Sequence, residues 1–171
     1  MSVSIARVVS VFTLPRHLLY AFAKVGNDGQ VLLSDPWADK DIKYPGDVAE
    51  PGNNLYGNFW AIYKLKNQNR NLKVLISIGG WTFSPPFHTV VVNPTARATF
   101  VKSAVQFLED YGLDGLDIDY EYPTTKEQAE GFCELLKELR AALDKHAADK
   151  HIDYKFLLTV SLVSVDVNAP C

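Results

Sequence analysis

Three runs of this chain are apolar almost throughout: residues 18–25, 72–78 and 155–160. A fourth, 113–121, alternates instead. Its members Leu116, Ile118 and Tyr120 interleave with Asp117, Asp119 and Glu121. Short runs of this kind, bounded by Gly, Asn and Pro, predict strands. Between them the apolar positions recur every three to four residues, which predicts helices. One set is Leu55, Phe59, Ile62 and Tyr63, closed by residues 67–71. A second is Phe100, Val101, Ala104, Val105, Leu108 and Tyr111, opened by Asn93 and Pro94 and ended by Gly112. A third is Phe132, Leu135, Leu136, Leu139 and Leu143, with Thr124 and Glu127 as its capping box. Strand, helix, strand, helix, strand, helix, strand is the order of an α/β fold with parallel strands and right-handed crossovers. Residues 34–54 lack a regular period and hold Pro36, Pro45, Gly46, Pro51 and Gly52. A loop that long is uncommon in a compact domain and often functional.

The alternating run carries the chemistry. Period two sends Asp117, Asp119 and Glu121 to one face, with roughly 6.6 Å of rise between successive members. Buried acids are costly unless they share protons or hydrogen bonds. Three readings compete. A solvated edge strand conflicts with the helices predicted on both sides, since parallel sheets are normally covered. A calcium loop needs a glycine at its sixth position and a distant glutamate, whereas Tyr122 and Pro123 follow here. Acid–base catalysis fits, because stacked carboxylates repel and one of them then keeps its proton to higher pH.

Composition narrows the rest. The 171 residues are 47% hydrophobic and 22% charged, enough for one globular domain with a core. A net charge of -3 offers no surface for nucleic acid. No apolar run reaches the ~18 residues of a membrane span. Arg7 and the apolar residues 8–14 could open a signal peptide, but Pro15, Arg16 and His17 interrupt it, and 18–23 reads as a buried strand. On that reading the chain is cytoplasmic; secretion is the alternative. Cys133 and Cys171 do not make a disulfide framework, and Cys133 reads as an inert, partly buried thiol. His17, His88, His146 and His151 lack ligand spacing and are read as surface or structural; no metal or cofactor is implied.

Residues 77–81, Ser-Ile-Gly-Gly-Trp, end the strand before the acidic one. Alone they are a tight strand-end turn. Yet ligands of parallel α/β folds bind at that end of the sheet, where Trp81 could stack on a sugar.

Together the two motifs resemble those of family 18 glycoside hydrolases, the chitinases: Asp114, Asp117, Asp119 and Glu121 on one strand, Ser77, Gly79 and Gly80 on the strand before. The likeness extends to residues 20–23, 67–81 and 155–160, and residues 43–47 and 67–73 resemble fungal members. The resemblance implies part of a (β/α)8 TIM barrel, its second to fifth strands. It makes residues 1–171 a single incomplete catalytic domain with a family-like core at 18–160, since a full barrel typically needs ~250 residues. Residues 1–14 do not resemble the first strand, 86–92 look foreign, and 161–171 leave the family pattern, as in a truncated or mis-spliced chain.

The implied substrate is chitin or N-acetylglucosamine oligomers, cleaved with the help of the substrate's own acetamido group. Glu121 would be the acid, Asp119 would hold the acetamido N–H, and Asp117 would share a proton with Asp119. Ser77 would anchor that pair. Trp81, Phe22, Gly80 and Tyr122 would line the sugar site. The resemblance also makes the Ala21–Phe22 and Glu121–Tyr122 bonds candidates for cis peptides. Two alternatives stand beside the enzyme: a chitin-binding lectin-like protein, and an inactive fragment of a chitinase.

Overall fold

The structure is a computed structural model that describes residues 16–48, 51–52 and 54–161. Its centre is a five-stranded sheet in the order β2–β1–β3–β4–β5. The strands are β1 (His17–Val25), β2 (Val31–Leu33), β3 (Lys73–Gly79), β4 (Gly115–Asp119) and β5 (Leu157–Val160). β1, β3, β4 and β5 run parallel, and β2 is antiparallel to β1. The crossovers hold α1 (Gly57–Gln68), α4 (Pro94–Asp110) and α5 (Lys126–Asp149), with the single turns α2 (Gly80–Phe83) and α3 (Phe87–Val90) after β3. The mixed α/β order and the parallel strands agree with the expected fold class. The N-terminal run 8–14 and nearly all of the tail, 162–171, lie outside the described residues.

Alternation along the strands separates two faces. Val74, Ile76 and Ile78 of β3 and Leu116 and Ile118 of β4 are buried in one core with Phe100, Ala104 and Leu108 of α4 and Leu135, Leu139 and Leu143 of α5. The other face carries the odd-numbered residues, among them Ser77 and Asp117. β1 is a strand, as expected, but it is not buried throughout. Leu19 is 52% exposed on the face away from the helices.

The caps follow the sequence closely. Asn93 Oδ1 accepts from the backbone N–H groups of Thr95 (2.9 Å) and Ala96 (3.3 Å), with Pro94 in the first turn of α4. At α5 the expected box is one residue out. Thr125, not Thr124, is the cap, and its hydroxyl accepts from Gln128 N–H. The answering side chain is Gln128, which accepts from Thr124 N–H at 2.8 Å, and not Glu127.

The irregular stretch after β2 is organised by a polar network. A π-helical turn, Trp37–Asp41, buries Asp39. Tyr20 on β1 donates its hydroxyl to Asp39 and accepts from Asn58 Nδ2 at 2.9 Å. Tyr44 completes the chain by donating to Asn58 Oδ1 at 3.0 Å. Burial is the main cause that pushes the Asp39 carboxyl above its ordinary range.

Residues 86–92 look foreign in the sequence but are built into the core. Phe87, Val90 and Val91 are fully buried. Phe87 stacks on Tyr120 with ring centres 5.1 Å apart, and His88 Nδ1 lies 2.7 Å from the Tyr120 hydroxyl. Burial pushes that hydroxyl up to about 12. Cys133 is buried and disulfide-bonded, not the inert thiol expected; the other cysteine, Cys171, lies outside the described residues.

Candidate active site

Parallel register places one residue from each of four strands in a row. Ala21 pairs with Ser77, Ser77 with Asp117, and Asp117 with Thr159. All four project to the face away from the helices. Asp117, in the middle, is 2% exposed. A carboxylate so buried persists only with hydrogen-bond donors. Ser77 Oγ donates to its Oδ2 at 2.8 Å, and Thr159 Oγ1 donates to its Oδ1 at 2.6 Å. Ser77 is therefore placed beside Asp117. Thr159 is a partner that sequence reasoning missed. The two donors occupy both carboxylate oxygens, and among the described residues no hydrogen bond joins Asp117 to Asp119.

Asp119 ends β4, opposite Gly79 of β3. Its carboxyl is pushed above the usual aspartate range, first by burial, then by the charge of Glu121, then by that of Asp117. Asp119 therefore stands close enough to feel the charges of both neighbours. Asp114, at the start of the same motif, is set apart. It accepts from Val74 N–H at 2.8 Å and pairs with Lys66 at 2.6 Å, an anchor at the amino end of β4.

Glu121 lies two residues beyond the last ladder pair, so the strand is shorter than the alternation predicts. Its backbone N–H donates to Ser84 Oγ at 2.8 Å. The bond that follows, Glu121–Tyr122, is cis, as is Ala21–Phe22 on β1. Tyr122 is 40% exposed.

Gly79 and Gly80 let the strand ends meet. Gly79 has φ +117, and a Cβ there would sit 2.2 Å from the Asp119 carbonyl oxygen. Gly80 has φ +75, and a Cβ there would press on the Phe22 ring at 2.9 Å. A side chain at either position would force the ends of β1, β3 and β4 apart. Gly80 thus brings Phe22 beside the α2 turn, which carries Trp81. Trp81 is 71% exposed and stacks on no other ring among the described residues. Also among them, no group of three or more His, Cys, Asp or Glu is set to hold a metal ion.

The strained charge of Asp119 has a measurable cost. Its folded value is raised, so protonation favours the folded state, and ionisation removes stability as pH rises from the ordinary aspartate range through the raised one. Asp119→Asn is therefore expected to raise the thermal unfolding midpoint at pH 7. The gain should shrink as pH falls through that window. Equal or lower stability of the variant at pH 7 would count against a partly buried, repelled carboxylate.

Comparison with known proteins gives the same family from several directions. The profile of the glycosyl hydrolases family 18 matches residues 11–168. Chitinase 1 of Aphanocladium album is 43% identical over 146 residues, which is 85% of this chain and 34% of that protein. Endochitinase 1 of Metarhizium robertsii is 42% identical over the same shares. Among solved structures, chitinase ChiA74 from Bacillus thuringiensis superposes with a TM-score of 0.77 at 31% identity, over 85% of this chain and 30% of that one. The Group IV chitinase of Ostrinia furnacalis, solved in complex with allosamidin, gives 0.69 at 33% identity over 91% and 37%. The chain spans about a third of the length of the curated fungal relatives it matches. With the parallel sheet and its acids already in place, these matches show that the chain belongs to the glycosyl hydrolases of family 18.

Proposed function

We propose that this chain carries the acid site of a chitinase, which cleaves β-1,4-linked N-acetylglucosamine with retention at the anomeric carbon. The observation that supports it most is the run of three carboxylates, Asp117, Asp119 and Glu121, toward the carboxyl end of β4, with Asp119 raised by the charges of the other two. Ligands of parallel barrels bind at that end. Glu121 gives its proton to the glycosidic oxygen as the bond to the anomeric carbon breaks. The acetamido carbonyl oxygen of the same sugar bonds to that carbon and forms an oxazolinium ion, the substrate-assisted variant of retaining hydrolysis. Asp119 holds the acetamido N–H and offsets the positive charge. Water then opens the ring, and its proton returns to Glu121. Asp117, fixed by Ser77 and Thr159, is the charge beneath Asp119. Trp81, Phe22, Gly80 and Tyr122 form the sugar-facing surface. That Glu121 is present favours an enzyme over a lectin.

The test uses a hybrid in which this chain's matched stretch replaces the corresponding third of the Aphanocladium album chitinase. N-acetylglucosamine oligomers should be cleaved to products of retained β configuration, read by proton NMR within the first minutes. Oligomers without N-acetyl groups should resist. Inverted products, or equal cleavage of the deacetylated oligomers, would overturn the mechanism. Oligomer binding without any cleavage would point to the lectin-like alternative.

A further inference from the structure

The β3–β4 ladder ends at the pair Gly79–Asp119, yet the proposed acid lies two residues further on. Something other than the sheet must fix Glu121. A single buried hydroxyl stands in that place. Ser84 is 1% exposed. Its Oγ accepts from the Glu121 backbone N–H at 2.8 Å and donates to the Asp119 carbonyl at 3.2 Å. One side chain thus bridges the two backbone groups on either side of Tyr120.

The bridge is itself held firmly. Ser84 follows α2 directly and precedes Pro85 and Pro86, which restrict the backbone. Its carbonyl accepts from Phe87 N–H at 2.9 Å. Phe87 and His88 then grip the Tyr120 side chain, by stacking and by a hydrogen bond. Residues 84–88 therefore clasp the end of β4 from both sides: the Tyr120 ring from the core, the Asp119 and Glu121 backbone from the strand edge. Trp81 lies in α2, three residues before Ser84, so the sugar-facing aromatic and the acid share one support.

We propose that Ser84 is a positioning residue, whose hydroxyl sets where Glu121 stands relative to Asp119. As a statement about catalysis this rests on the proposed function; as a statement about placement it does not. Without the hydroxyl, the partly buried Glu121 backbone N–H loses its only acceptor among the described residues. The segment must then shift to find another, and Glu121 moves with it.

Asp119 reports that movement. The charges that bear on it are Glu121 and Asp117 of its own strand. The facing end of β3 presents Gly79, and the α2 turn presents Ser84, both uncharged. The experiment is a carbon-13 NMR titration of the Asp119 carboxyl in the full chain and in Ser84→Ala, Glu121→Gln and the double variant. Glu121→Gln should lower the Asp119 midpoint by removing the neighbouring charge. Ser84→Ala should lower it by letting that charge move away. In the Glu121→Gln background, Ser84→Ala should produce no further drop, because the charge it positions is already gone. An unchanged midpoint in Ser84→Ala would overturn the proposal. So would an equal drop in both backgrounds, which is the mark of general loosening. Hydrogen exchange in the unsubstituted chain supplies a second arm should Ser84→Ala not fold. The Glu121 amide should exchange on the order of 100-fold more slowly than in an unstructured peptide, and free exchange there would also overturn the bridge. No substrate enters either measurement. Coupling in this chain beside a hybrid that cleaves no N-acetylglucosamine oligomers would therefore sink the functional proposal and leave the placement of Glu121 by Ser84 intact.

Discussion

Glu121→Gln in the hybrid is expected to lower kcat on N-acetylglucosamine oligomers by about 10²–10⁴-fold, the usual contribution of a positioned general acid. Glutamine keeps the size of the side chain and can still donate a hydrogen bond. It cannot release a proton to the glycosidic oxygen, so the leaving group departs unprotonated. The substitution leaves the sheet register untouched, because Glu121 lies beyond the last ladder pair. It also leaves the Ser84 bridge, which is made to the backbone. KM should therefore change far less than kcat, the pattern of an interaction made in the transition state. Steady-state kinetics on a series of oligomers checks this. Turnover at the unsubstituted rate would move the acid to another residue. Loss of binding together with rate would mean that Glu121 holds substrate instead of protonating it.

The sequence made the frame of this site legible but not its fastenings. Period-two alternation marked the acids, and the glycine pair marked the end of β3. Both signals are local, and both describe direction: where a side chain points, where a turn falls. Ladder pairing is not local. Alternation runs on through Glu121, so the strand reads two residues too long, whereas β3 stops at Gly79 and leaves Glu121 without a partner strand. Thr159 and Ser84 fall outside any local signal for the same reason. Their partners lie 42 and 37 residues away, and neither segment has an acidic neighbour that would flag it. The short strand β2, three residues long, is too brief to show a period. The turn before it is closed by Gly29 N–H onto the Gly26 carbonyl. Residues 86–92 show the converse. They break the resemblance in the sequence, yet Phe87, Val90 and Val91 fill the core above Tyr120, because burial asks for volume and apolarity and not for a particular motif.

This chain by itself is expected to cleave N-acetylglucosamine oligomers at least ~10³-fold more slowly than the hybrid, although the acids are present in both. The argument is one of positioning. Substrate-assisted cleavage requires the acetamido oxygen to be held against the anomeric carbon, and well-oriented intramolecular attack can supply ~7–11 kcal/mol of the barrier. In the described structure the residues proposed to face the sugar stand open: Trp81 is 71% exposed, Tyr122 40% and Phe22 37%. β5, on the side nearest Asp117, has β4 as its one strand neighbour among the described residues. Water then competes for the acids and for the acetamido group, and the grip on the sugar is loose. Donation by Glu121 alone accounts for about 10²–10⁴ of rate, which cannot replace lost positioning of that size. The comparison needs three proteins under one assay: this chain, the hybrid, and the hybrid carrying Glu121→Gln. A fast hybrid with a slow chain assigns the deficit to the surroundings that the hybrid adds, since Asp117, Asp119 and Glu121 are common to both. Equal rates for the chain and the hybrid would show that four parallel strands hold the sugar unaided, or that copies of the chain complete one another. A concentration series on the chain separates those two outcomes, because only the second makes the rate per molecule rise with protein concentration.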